Sequence, residues 1–173
     1  MGSVMAPTPH PSRLTPNEKG AVLAFDFGEK RIGVALADLS VAIPHPLTTI
    51  EAEDNNTRFA AIAALIAEWK PVQLVVGEPH HTDGGEHEIA RLAKRFAQRL
   101  EGRFNLPVAL VDESFSSTEA VSRLHEQGAR RNKAALDTVA ACAILQTWLE
   151  QQTRNMKQNQ TLDSSHAEGG KNT

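Results

Sequence analysis

The stretch Ala-Phe-Asp-Phe-Gly-Glu-Lys-Arg-Ile-Gly-Val-Ala, residues 24–35, decides how this chain folds. Ala21 to Phe27 is a short, largely apolar run and reads as a strand. Gly28, Glu29 and Lys30 turn the chain. From Arg31 to Asp38, Ile32, Val34 and Leu36 alternate with Gly33, Ala35 and Ala37, the period-two signature of a half-buried strand. So short a link predicts an antiparallel hairpin. Inside the first strand stands Asp26, a carboxylate among apolar neighbours, where charge is costly unless paired or bound to metal.

Outward from the hairpin, Val41 to Ile50 reads as a third strand, which Pro44 and Pro46 confine to an edge or break. Asp54 or Asn55 caps a helix running to Trp69, with Phe59, Ile62, Leu65, Ile66 and Trp69 on one face and Pro71 as its stop. Val72 to Val76 is nearly all apolar, the mark of a strand buried on both faces. A loop over 77–85 leads to a helix with the inner stripe Ile89, Ala93, Phe96 and Leu100, and Pro107 to Val111 forms another short strand. Ser116 to Glu119 has capping-box spacing and opens a helix that Gly128 ends; a last helix runs from about Lys133 to about Gln151. The order is β-β-β-α-β-α-β-α-α. It predicts an α/β fold with a mixed five-stranded sheet and helices on its faces, where sites gather at the carboxyl edges of parallel strands.

The flanks differ in kind. Residues 1–19 hold four of the nine prolines and read as a disordered leader; 153–173 are rich in Asn, Gln, Ser, Gly and Lys and read as a disordered tail. One domain is expected over 20–152, which is all that 173 residues allow beside such tails. No apolar run approaches the ~20 residues that cross a bilayer, so no membrane partner is expected. Cys142 is the only cysteine, so no intrachain disulfide can form, and a cytoplasmic setting is the simplest. Among Ala and Ile neighbours it reads as a small core residue.

Charge argues against generic nucleic-acid binding. The net charge is −3, and residues 20–152 carry 13 Lys and Arg against 18 Asp and Glu. Any such binding must rest on local basic clusters and on metal ions that offset carboxylates. Arg130, Arg131 and Lys133 form the densest cluster, and Lys30 and Arg31 lie just after Asp26; both groups are candidate phosphate contacts. Arg91, Arg95, Arg99 and Arg103, spaced by four, read as a solvated helix face. His80, His81 and His87 fit no standard zinc spacing and read as a polar loop beside the site.

Further acids sit where chemistry is expected. Glu78 follows the strand at 72–76, Asp112 and Glu113 follow the strand at 107–111, and Asp137 shares a helix face with Ala140, Ala141 and Ile144. Clustered carboxylates can hold two divalent cations that activate water and stabilise the leaving oxygen of a phosphodiester. Magnesium suits such all-oxygen ligation. Each acid also has a plain reading: Asp137 near a helix start favours the macrodipole, and Asp112 and Glu113 can make a turn.

Four segments carry a resemblance: Asp-Phe-Gly-Glu-Lys-Arg-Ile-Gly-Val-Ala at 26–35, Val-Val-Gly-Glu-Pro at 75–79, Val-Asp-Glu-Ser-Phe-Ser-Ser at 111–117, and Leu-Asp-Thr-Val-Ala-Ala-Cys-Ala-Ile-Leu-Gln at 136–146. They resemble the YqgF/RuvX family of Holliday-junction resolvases, also described as pre-16S ribosomal RNA nucleases, over about residues 20–150. The resemblance implies a ribonuclease-H-like fold, sheet order 3-2-1-4-5, and a nuclease site dependent on Mg2+ or Mn2+. By matching positions Asp26, Glu113 and Asp137 would be the catalytic, metal-binding acids. The expected partner is nucleic acid, either precursor ribosomal RNA or branched DNA, with monomer and homodimer both open. Two positions depart from the family: Glu78 stands where Leu is usual, and Ser114 where Arg is usual. In that sheet order Glu78 ends the strand beside Asp26, about one ~4.8 Å spacing away, while Glu113 ends the strand beyond. Glu78 is therefore a rival or additional ligand.

Two other functions compete. Asp-x-Gly before a hairpin resembles the first phosphate loop of actin-like and sugar-kinase ATPases, but that architecture needs a second lobe. A non-catalytic nucleic-acid-binding ribosome-assembly factor would keep the fold without the chemistry, as Ser114 and the acidic balance allow.

Overall fold

The computed structural model describes residues 20–78, 86–112 and 133–167. The expected leader at 1–19, the histidine loop at 79–85 and the capping-box helix opened by Ser116 lie outside them. Five strands form one sheet: β1 (Ala21–Phe27), β2 (Arg31–Asp38), β3 (His45–Glu51), β4 (Pro71–Glu78) and β5 (Val108–Asp112). Their order is β3-β2-β1-β4-β5, antiparallel within β1–β2–β3 and parallel for β1–β4 and β4–β5. The hairpin places Asp26 opposite Gly33, and the parallel neighbour places it beside Gly77.

Helices α1 (Asn55–Trp69) and α2 (Glu86–Phe104) cover one face of the sheet, and α3 (Lys133–Ala167) covers the other. Asp54 caps α1 by accepting a 2.8 Å hydrogen bond from the Thr57 amide. Lys70, in the left-handed region at φ 47°, closes it, and Pro71 starts β4 directly. On the α1–α2 face, Leu23, Phe25, Ile32, Val34, Leu74 and Val76 meet Phe59, Ile62, Phe96 and Leu100. On the α3 face, Val22, Ala24, Ala35, Ala37, Val75 and Val111 meet Ala141, Ile144, Leu145 and Trp148. Val75 and Val76 are both fully buried, as a strand covered on both sides requires.

One burial pattern and two boundaries differ from the sequence reading. β2 is covered on both faces, because its small residues Gly33, Ala35 and Ala37 are the ones that admit α3. β3 begins at His45: Ala42 takes φ 58° in a turn folded back onto the Asp38 carbonyl, and Val41 and Ile43 are exposed. α3 runs on to Ala167, beyond the expected end near Gln151. Full burial stops near Leu149, but no glycine or proline interrupts 133–167, so the backbone continues as a helix whose side chains over 153–162 are exposed except at Met156. The apolar stripes of α1 and α2 also shorten at their ends, leaving Trp69 and Ile89 exposed. No described helix is long and apolar enough to cross a membrane.

Candidate metal and nuclease site

Strand parity sets which acids can meet. Side chains of Val22 and Ala24 point to α3, so Asp26, two residues on, has the same facing. Opposite it in the ladder is Gly33, and cross-strand partners share a face. A Cβ built on Gly33 would lie 2.0 Å from the Asp137 carbonyl oxygen and 3.0 Å from its Cβ. The start of α3 thus rests directly on the residue paired with Asp26, and Gly33 is what lets it. Asp26 and Asp137, distant in sequence, are brought to one corner of the molecule.

Arg31 completes this corner. It lies two residues from Gly33 on the same face, and its Nε sits 3.2 Å from Asp137 Oδ2. The contact is an ion pair without hydrogen-bond geometry, so Oδ2 stays buried with no hydrogen-bond donor. Burial pushes the Asp137 carboxyl upward from its ordinary value; Arg31 pulls it back and Glu51, opposite Arg31 in β3, pushes it further. An under-satisfied, partly buried carboxylate beside a second acid, with only oxygen donors, fits a hard divalent cation. The described residues supply two such acids and no group of three or more metal-ligating side chains. Glu113 lies outside the described residues.

Glu78 is on the neighbouring strand but on the wrong side of the pleat. Val76 packs toward α1 and α2, and Glu78 follows its parity. Its carboxylate pairs with Lys94 of α2 at 3.2 Å. Asp112, opposite Glu78 in β5, shares that parity. Counting strand spacings favoured Glu78; the pleat removes that ground, because adjacent strands are close only for residues facing the same way.

Of the expected phosphate contacts, Lys30 is exposed in the β1–β2 turn, and Arg31 is held by Asp137. Arg130 and Arg131 lie outside the described residues. Lys133 opens α3, but its side chain, like that of His87, is not among the described ones. Cys142 is partly buried against the α3 core, and burial pushes its thiol up to about 11.

Two contributors escaped the sequence reading. Gly33 had a signal, since glycine inside a strand marks a close backbone approach. Arg58 had none: it stands amid an apolar helix pattern, yet it is 4% exposed. Its guanidinium donates to the carbonyls of Ala52 (2.5 Å), Gly28 (2.8 Å) and Glu29, tying the β1–β2 turn to the start of α1. The turn that separates Asp26 from Arg31 is therefore clamped from the α1–α2 side.

A mixed sheet ordered 3-2-1-4-5, with acids gathered where its first strand meets the helix behind it, is a ribonuclease-H-like nuclease architecture. The chain belongs to the RuvX Holliday junction resolvase family, whose model matches residues 20–151. A relative from Dechloromonas aromatica is 59% identical over 134 residues, covering 76% of this chain and 91% of its own. One from Chromobacterium violaceum is 58% identical over 132 residues, covering 75% and 96%. Both are provisionally named pre-16S rRNA nuclease. Among solved structures, the yeast mitochondrial Holliday junction resolvase superposes with a TM-score of 0.50 at 12% identity, over 76% of this chain and 78% of that one. At that identity the likeness is one of fold.

Proposed function

We propose that this chain is a nuclease that hydrolyses phosphodiester bonds with Mg2+ or Mn2+, with Asp26, Glu113 and Asp137 as the acids that hold the metal. The observation that carries this is the seating of Asp137 on Gly33, on the face and at the ladder position of Asp26. Glu113, which lies outside the described residues, joins them on its sequence motif alone. A bound divalent cation would activate water and stabilise the leaving oxygen. The chain's own residues do the rest. Arg31 offsets the clustered negative charge through Asp137, and Lys30, Arg130, Arg131 and Lys133 hold the phosphate backbone. The relatives' names favour precursor 16S ribosomal RNA over branched DNA; cutting toward its 5′ end, in the cytoplasm, is part of the same proposal.

Cleavage of precursor RNA and of a four-way DNA junction with magnesium or manganese tests this. Asp26→Asn, Asp137→Asn and Glu113→Gln should each lower cleavage at least ~100-fold while thermal melting shows an intact fold. Glu78→Gln should stay within about twofold, since a partly exposed ion pair with Lys94 contributes little. Undiminished cleavage by both Asp variants would sink the assignment. Ser114 in place of the family Arg favours a second reading, a ribosome-assembly factor that binds RNA without cutting it; tight binding with no metal-stimulated product would select it.

A further inference from the structure

Behind the β1–β2 turn, on the face opposite Asp26 and Asp137, a cleft of about 240 Å3 opens between the start of α1 and the middle of α2. Three arginines line it: Arg58 from α1, and Arg95 and Arg99 from successive turns of α2. Its apolar wall is Phe27 and Phe96, whose rings lie 5.1 Å apart. Glu29 and Glu53 also line it, so three guanidinium groups oppose two carboxylates and the cleft is net positive. Arg95 and Arg99 are exposed and form no ion pair with any described residue. Arg58 spends Nε and Nη2 on backbone carbonyls, which fixes its guanidinium plane at the cleft wall before any ligand arrives. The first turn of α1, at Asn55, adds the positive end of a helix dipole.

From this geometry we infer that the cleft is a second phosphate-binding site, and that it takes a backbone phosphodiester of a single-stranded segment of the precursor RNA whose cleavage is proposed above. Its volume is below the roughly 300–1,000 Å3 of clefts that enclose a whole drug-sized ligand. It therefore suits a phosphodiester group, with a base free to lie on the phenylalanine wall. Arginine is the residue suited to planar, forked recognition of phosphate. Location supplies the second argument. Phe27 and Glu29 belong to the turn whose other side carries Asp26 and Arg31, so one strand passing over that turn reaches both sites. An acidic chain needs such local sites, since its global charge repels the ligand.

The inference rests on the nuclease reading only for the kind of strand. Its test is binding in the presence of a chelator, so it is read without cleavage and can fail separately. The full chain is titrated with a short single-stranded RNA of mixed sequence at several salt concentrations. Arg95→Gln with Arg99→Gln should weaken binding roughly tenfold and lower the salt slope by about 1.4, as two lost phosphate contacts require. Arg91→Gln with Arg154→Gln makes the same charge change at exposed positions outside the cleft and should leave the slope within about 0.5 of the parent. Equal losses in both double variants would mean diffuse charge and overturn the site, as would no loss in the first. Displacement of the RNA by inorganic phosphate at matched ionic strength would overturn the assignment to a strand. Unchanged melting of both variants keeps the comparison free of folding effects.

Discussion

Ionising Asp137 costs the folded chain something that asparagine would not. Burial holds its carboxyl above the ordinary value, with Arg31 only partly compensating. Below the ordinary carboxylate range, Asp137 is protonated whether folded or unfolded, and no difference arises. As pH rises, the unfolded chain releases its proton first and stability falls; above the raised folded value the penalty is complete. Asp137→Asn should therefore raise the stability of the chelated protein at neutral pH, with the gain vanishing in acid. Urea unfolding of parent and variant at both pH values measures it, and a less stable variant at neutral pH would show that the Arg31 pair outweighs desolvation. Divalent cations should reverse the ranking, because they stabilise only the chain that still has the carboxylate. The same burial makes Cys142 a poor nucleophile. With its thiol near 11, the native protein should react with iodoacetamide far more slowly than the urea-unfolded chain, as a mass spectrometric time course would record. At this scale the sequence was partly legible. Asp26 stands out in the sequence as a charge in an apolar strand and Asp137 by its place on an apolar helix face, and the fold brings the two to one corner. Glu78 misled because distance along the sheet was counted without the pleat, and Arg58 was hidden because nothing in an amphipathic pattern tells a clamped guanidinium from a solvated one.

Between elements, the contact of α3 with the hairpin is the joint on which the site depends. At Gly33 the opposing atoms belong to the Asp137 backbone, so no rotamer change can relieve an added methyl. Gly33→Ala must push α3 away from β2. It should cost about 1–3 kcal/mol of stability, the usual range for overpacking, and should lower cleavage by more than that loss of folded protein explains, because Asp137 moves with its helix. Denaturant midpoints and initial cleavage rates on the same preparation separate the two effects; a variant that cuts at the parental rate would show that α3 can withdraw without disturbing the acids. β1 and β2 were read to the residue, since alternation, a short turn and a charge bounded them. β3 was not, because Val41 and Ile43 satisfy a strand's composition while lying exposed in the turn and link that precede it. Composition records what a strand tolerates; pairing decides where it starts. The close approach of α3 was written in Gly33, Ala35 and Ala37, which as a pattern look like the open face of a strand.

For the molecule as a whole, the question is where the folded unit ends. The α3 core closes with Trp148 and Leu149, at 2% and 8% exposure, and Gln151 and Gln152 are the last residues of the helix with continuous partial cover. From Thr153 to Leu162 every side chain is exposed except that of Met156, which is half-buried. Over 153–162 the helix thus buries no side chain fully, and local hydrogen bonds such as Thr161 Oγ1 to the Lys157 carbonyl at 2.7 Å support it. An isolated helical stretch of this length is marginal in water, so its formation draws on the packed part of α3 and returns little to it. A chain cut after Gln152 should keep its unfolding free energy to within about 0.5 kcal/mol, the range of changes that touch no buried feature. A cut after Gln146, only six residues shorter, removes Trp148 and Leu149 and should lose at least the roughly 3–5 kcal/mol expected for emptying a buried tryptophan site. Urea unfolding of the two truncations decides it. Equal stabilities would mean that the α3 face of the sheet is closed by something other than this helix, and a large loss from the first cut would give the extension a tertiary role.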